Sequence, residues 1–354
     1  MQTIQQISNQ LPGDDYITTN HEVLTKTGWK RYDEITMYDE VATYNQNTKC
    51  LEYQLPQSIN IVPHYKGDMY EVRSEFVNLT VSKDHKLFVS IITNNVFNPY
   101  SYKDITADKL ENVELSFKNN ADYVCAPYQF VMNAFENENE KIFDMTAWLT
   151  LFGICSENQS SFDIYNNIDK LVINYENNKF IKNKLTQYVP ILGYEYKDEN
   201  NKIIIDSPQL FNYFLTTFHD DEFGLPDWVL KLNKDQSLIL LDSILCCDPN
   251  YNYNSLRVYI PQITFNLADK LQQLCLHAGW FASYHTKTKY THEDICMKDV
   301  MTIYKNNFYP IINDTYTYNK MLYDFNGPVF NVRVPNKKYY VRMDGRGVWI
   351  TNKD

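Results

Sequence analysis

The stretch with the clearest chemical content runs from Leu225 to Pro249: a Leu-Pro-Asp-Trp approach, then an apolar run that closes on Cys246, Cys247 and Asp248. Its spacing predicts a capped helix with a carboxylate at its foot, a way to hold a divalent cation beside a polyanion. The plain alternative is an acid that ends an apolar run because it is solvated. His85 follows a Ser82-Lys-Asp turn; taken alone, a histidine there is more often structural or exposed than catalytic. His219-Asp-Asp-Glu-Phe has metal-ligand residue types, but Gly224 and Pro226 follow, so an acidic loop is the preferred reading. Seven cysteines are present: Cys50, Cys125, Cys155, Cys246, Cys247, Cys275 and Cys296. Their odd number, the lack of C-x-x-C spacing and the polar Met-Gln-Thr-Ile-Gln-Gln start favour reduced thiols in a cytosolic setting over zinc or disulfides. No P-loop, G-x-S-x-G, H-E-x-x-H or zinc spacing occurs.

These residues need elements to carry them. With 354 residues, 44% of them hydrophobic and including 29 Tyr and 19 Phe, the chain can build two or three cores. Net charge is −11, from 33 Lys and Arg against 44 Asp and Glu. An acidic chain does not gather a phosphate backbone by its overall field, which counts against simple DNA binding but leaves room for a local basic groove. No apolar run approaches the roughly 18 residues of a membrane span, so a soluble protein is expected. After a polar lead ending in Pro12-Gly13-Asp14-Asp15, short strands and frequent turns run from Ile17 to Val89. From about Ile142 the spacing turns helical, over Phe143–Ile154 and Ala268–Ala278, with strand-like runs such as 171–174 between them. Trp228 and Trp280 sit in apolar patterns and read as core. Alternation returns over Val329–Val334, Tyr339–Arg342 and Gly347–Ile350, with an Asp344-Gly345 turn. The last segment is too small to fold alone and is expected to complete the first β module, making the middle an insertion.

The outer segments resemble the Hint fold of inteins. Tyr16-Ile-Thr-Thr-Asn-His-Glu-Val-Leu-Thr-Lys-Thr-Gly-Trp-Lys-Arg-Tyr-Asp-Glu-Ile35 looks like the family's first block. Leu79-Thr-Val-Ser-Lys-Asp-His85 looks like the second, with its Thr-x-x-His signature, and Val329 to Asn352 like the last two. Ala147 to Asn158 and Leu225 to Pro249 resemble the two helices of a LAGLIDADG homing endonuclease, and Val258 to His285 the strand–helix–strand that follows the second. The fold class implied is β + α/β: an all-β, horseshoe-like Hint module interrupted by a mixed α/β LAGLIDADG domain. The implied boundaries are a lead at 1–15, Hint parts at 16–140 and 323–354, and the endonuclease-like insertion at 141–322.

The resemblance assigns roles residue by residue. Splicing begins when a thiol or hydroxyl at the first intein position attacks the preceding carbonyl. That position is Tyr16, whose phenol cannot close the required five-membered ring. Ser82 takes the threonine place and can still hydrogen-bond; His85 takes the place of the histidine that protonates the departing nitrogen. Asn331 stands where the family has Asp or Cys, and Lys337 or Lys338 where it has His; neither type is a good acid–base catalyst near neutral pH. Asn352 matches the terminal asparagine that cyclises, but Thr351 precedes it and Lys353 follows. The pattern implies a protein inactive in splicing.

For the endonuclease part, Glu157 and Asp248 occupy the metal-binding acids, with Mg²⁺ the cofactor if cleavage survives. Close helix packing asks for small residues one and five positions before each acid. Ser243 and Cys247 satisfy this in the second helix; the first has Ser156, while Phe152 replaces a glycine beside Gly153. The glycine expected after each acid is Asn158 and Pro249, and proline cannot adopt the left-handed conformation. Residues 141–320 carry 16 Lys and Arg against 21 Asp and Glu, where a DNA-cleaving surface needs the opposite balance. Lys287 and Lys289 are the best candidates for phosphate contact, against the plain reading of solvated strand lysines. The expectation is a stand-alone, degenerate intein–endonuclease, without cleavage activity. It would serve as a structural or binding subunit of a larger protein assembly, in the host cytoplasm or a viral or phage particle. The alternative is an active Mg²⁺-dependent endonuclease acting on double-stranded DNA.

Overall fold

The computed structural model describes residues 6–7, 15–93, 97–110, 113–157, 170–175, 178–218, 224–248, 254–261, 264–290, 295–305, 308–312 and 318–352. Contacts divide the chain into two units, one of Met1–Val124, Tyr259–Ile263 and Leu271–Asp354, the other of Cys125–Val258 and Thr264–Lys270.

The first unit is built from strands of both chain ends. Ser58–Arg73 pairs antiparallel with Tyr318–Arg333, which pairs with Ile17–Thr18; that strand pairs with Asn78–Ser82, and Asn78–Ser82 pairs back onto Ser58–Arg73. The ring of pairings leaves few free edges. Lys338–Met343 pairs with Glu22–Thr25 and with Arg346–Thr351, which in turn meets Lys86–Ile91. Ile17, Val23, Tyr70, Val81, Leu87, Phe330, Val341 and Ile350 meet in one buried cluster. The Asp344-Gly345 turn has both residues at positive φ, 48° and 72°. That conformation matches the twist of a tight hairpin. Two strands differ from the sequence reading. Ser58–Arg73 and Tyr318–Arg333 each run 16 residues, well beyond the short strands expected before Val89 and the Val329–Val334 segment. Each supplies the other's backbone partners across some 250 positions of sequence, which no local pattern announces.

The second unit holds a three-stranded sheet, ordered Lys170–Asn174, Lys202–Asp206, Tyr196–Glu199. With it go α1 (Met145–Glu157), α2 (Lys179–Ile191), α3 (Pro208–Phe218), α4 (Lys234–Leu245) and the first six residues of α5 (Phe265–His277). Trp148 stacks on Phe130 with centroids 4.5 Å apart, and Trp228 lies 4.9 Å from Phe152. Asn233 and Gln236 cap α4 reciprocally, each side chain binding the other's backbone. Two otherwise unsatisfied donors are paired in this way. The helix stops at Leu245, three residues before the carboxylate it was expected to end on, so Asp248 sits in the turn beyond. No helix among the described residues is long and apolar enough to cross a membrane.

Candidate functional site

In the first unit one peptide bond is gripped at both ends. The Asp15 carbonyl oxygen accepts from Asn331 Nδ2 at 2.9 Å, and the Tyr16 N–H donates to Ser82 Oγ at 2.9 Å. Asn60 Nδ2 donates to Asn331 Oδ1 at 3.0 Å, which turns the Asn331 amide so that its N–H₂ faces Asp15. The Ser82 N–H donates to the Tyr16 carbonyl at 2.8 Å, locking the register of the two segments. A donor on the carbonyl draws charge toward oxygen, and a tetrahedral intermediate there would find a donor already in place.

The carboxylate beside that bond is its own neighbour. Asp15 Oδ1 lies 2.7 Å from His85 Nδ1, with both side chains buried, although the ring N–H is not aligned for a hydrogen bond. The turn that presents His85 is closed by its N–H donating to the Ser82 carbonyl at 3.0 Å. Burial pushes the Tyr339 phenol well above its ordinary pKa, with the Asp15 carboxylate adding to the effect. The phenol therefore remains a proton donor. His21 is also buried. Thr80 N–H donates to its Nε2 at 3.3 Å, so Nδ1 carries the proton given to the Thr18 carbonyl at 2.9 Å. Burial lowers its pKa to about 4, so it is neutral and structural.

Tyr16 has a packing role. Its ring lies 5.7 Å from that of Tyr65 and joins a small cluster with Val62, Met69 and Val329. Asn352 is buried, and its Nδ2 donates to the Val332 carbonyl at 2.9 Å, one residue from Asn331 on the same strand. Lys338 is buried with its Nζ 3.0 Å from Asp104, and desolvation lowers its pKa. Lys337 takes a positive φ of 59° in the turn before it.

The second constellation lies at the ends of α1 and α4. These helices cross where a Cβ on Gly153 would stand 2.7 Å from Ser243 Cβ and 3.1 Å from the Ile244 nitrogen and the Leu240 carbonyl. Gly153 thus supplies the close approach that Phe152 could not. Glu157 is the last residue of α1, though its side chain falls outside the described residues; Asp248 is half-buried past the end of α4. Carboxylates brought together would be a donor set suited to Mg²⁺. Among the described residues no group of three or more His, Cys, Asp or Glu lies within reach of one metal. Lys287 and Lys289 fall on the strand Phe281–Tyr290, opposite Lys298 and Cys296, with side chains outside the described residues. The 219–223 segment lies outside them as well.

Asp15, Asn60 and Tyr339 were not singled out by sequence. Asp15 reads as part of a Pro-Gly-Asp turn; the available signal was its place directly before Tyr16, where it owns the carbonyl of the peptide bond they share.

No family model matches the chain. It is similar to the DNA-directed RNA polymerase subunit beta C-terminal section of Stigeoclonium helveticum, 26% identical over 390 residues that cover 95% of this chain and 36% of that protein. It is similar also to the ATP-dependent Clp protease proteolytic subunit of Chlamydomonas moewusii, 29% identical over 286 residues, covering 74% of this chain and 28% of that protein. The chain spans about a third of the length of these curated relatives. Among solved structures, a GSH-linked, splice-inactive variant of the AceL NrdHF class 3 split intein is a neighbour. It has 10% identity and a TM-score of 0.34, covering 96% of this chain and 100% of that one.

Proposed function

We propose that the chain is an intein-like protein that retains the junction-holding part of a Hint module and no longer splices. It persists as a folded binding or structural subunit of a larger assembly, a viral or phage particle included. The carrying observation is the Asp15–Tyr16 peptide, held through Asn331 and Ser82 yet followed by a phenol where splicing needs a thiol or hydroxyl. The relatives support an insertion element: one is an RNA polymerase subunit, the other a protease subunit, and both align with most of this one chain. Reporter domains placed on both sides of the chain test the loss of splicing, because ligated reporters would overturn it. Elution from a native extract as an isolated monomer would overturn the assembly role.

The same reading gives a gain-of-function prediction. Tyr16→Cys places a nucleophile where the carbonyl is already polarised, so the bond before residue 16 becomes cleavable by dithiothreitol. Losing the ring from its cluster costs about 3 kcal/mol of stability, so the assay belongs well below the melting temperature. If thiol produces no cleavage from folded protein, the junction reading of this peptide is wrong.

A second reading, a Mg²⁺-dependent endonuclease acting on double-stranded DNA, is favoured by the close crossing at Gly153 and Ser243. Glu157 and Asp248 would hold the ion, which would polarise the scissile phosphate, and Lys287 and Lys289 would meet the backbone. Cleavage of genomic fragments, abolished by Glu157→Gln, would establish it; no cleavage with Mg²⁺ or Mn²⁺ would dismiss it.

A further inference from the structure

We infer that the chain cuts its own Asp15–Tyr16 bond, with the Asp15 carboxylate as nucleophile. This rests on reading that bond as a retained junction, but it assigns the attack to the residue before the junction and not to the one after it.

A carboxylate on the β-carbon can close a five-membered ring onto its own backbone carbonyl carbon, which the Tyr16 phenol cannot do. Three features around Asp15 favour that closure. Its carbonyl oxygen already accepts from Asn331 Nδ2, itself fixed by Asn60, so the developing oxyanion meets a donor that need not reorganise. The nitrogen that must leave is held by Ser82 Oγ at 2.9 Å, on the same turn that presents His85. Asp15 is buried, and its carboxylate lies 2.7 Å from the His85 imidazole, which places a proton donor beside the reacting groups.

An Asp15 carboxylate oxygen forms a bond to the Asp15 carbonyl carbon, giving a tetrahedral oxyanion facing Asn331. The C–N bond to Tyr16 breaks, and the departing nitrogen takes a proton delivered by His85. The products are a cyclic anhydride on Asp15 and a free amine on Tyr16. Water opens the anhydride to an Asp15 with two carboxyl groups and returns the proton to His85. The net reaction is hydrolysis of one peptide bond, with water the only co-reactant.

The test uses the full chain, purified and incubated with and without hydroxylamine, with intact mass as the readout. Cleavage between Asp15 and Tyr16 is expected, and in hydroxylamine the upstream fragment ends in a hydroxamate because the anhydride is intercepted. Asp15→Ala keeps the bond. Asn331→Ala slows release by about 10²-fold or more, the usual cost of losing an oxyanion donor, and His85→Ala by about 10²-fold. Circular dichroism confirms that each variant is folded. A chain recovered already starting at Tyr16 is compared with Asp15→Ala, which must retain the upstream segment. An unsubstituted chain that stays whole overturns the proposal. So does a fragment that never carries hydroxamate, or one released as readily from Asp15→Ala. These outcomes leave the splicing-inactive reading standing, since only ligated reporters bear on that. A loss of Lys353 and Asp354 would give a different mass and mark chemistry at Asn352.

Discussion

Individual buried histidines tie this fold to pH. Burial lowers His21 from 6.5 to about 4 and His277 from 6.5 to about 3. His277 accepts from the Tyr53 hydroxyl at 2.7 Å, which itself accepts from Gln273 Nε2 at 2.9 Å, so the ring is held neutral within a hydrogen-bonded chain. The folded chain binds these protons less tightly than the unfolded one. Their contribution is therefore complete above pH 6.5 and drains as pH falls toward 4 and 3. Between pH 7 and 5, before most carboxylates titrate, each should withdraw about 2 kcal/mol. Urea midpoints measured across that interval should fall steadily, and His277→Phe, which keeps a ring against Tyr123, should flatten the slope by about half. A midpoint indifferent to pH from 7 to 5 would mean that both rings are already charged in the folded state. Sequence exposes such residues unevenly. Ser82 and His85 stand out because their segment resembles the second intein block, whereas Asp15 acquires its role only when Asn331, 316 positions away, reaches its carbonyl.

At the scale of elements, the contact between α1 and α4 decides the sign of a substitution. In an exposed helix Gly→Ala gains roughly 1 kcal/mol from propensity. At Gly153 the added carbon would sit 2.7 Å from Ser243 Cβ, with backbone atoms of α4 at 3.1 Å and no flexible end to move aside. Overpacking of this kind costs about 1–3 kcal/mol and outweighs the propensity gain. Gly153→Ala should therefore lower the melting temperature, and adding Ser243→Gly should restore part of the loss, a coupling that independent sites would not show. The elements themselves were largely legible where the signal is local. The Asn233–Gln236 cap, the Asp344-Gly345 turn and the 3.6-residue spacing before Ala278 all act within a few residues. The full lengths of Ser58–Arg73 and Tyr318–Arg333 were not, because most of each strand is paired by the other, far away in sequence.

For the molecule as a whole, that long-range pairing separates the behaviour of the two units. The second unit is assembled mostly from the continuous stretch 125–258, whereas the first unites strands near both ends of the chain. Closing such long loops costs entropy before any contact repays it, so the second unit should form first on refolding. Each unit also has its own buried apolar residues and its own tryptophans: Trp29, Trp280 and Trp349 in the first, Trp148 and Trp228 in the second. In the first, buried Arg342 binds Glu22 through Nε at 2.6 Å and Gln272 through Nη1 at 3.0 Å, with its guanidinium 4.2 Å from the Trp29 ring centroid. A lysine keeps the charge but loses the fork and the stacking, so Arg342→Lys should cost about 3 kcal/mol. Equilibrium unfolding should then show two transitions. Arg342→Lys should shift one and leave the other in place, while Gly153→Ala does the reverse. A single transition moved equally by both variants would show that the cores melt as one body.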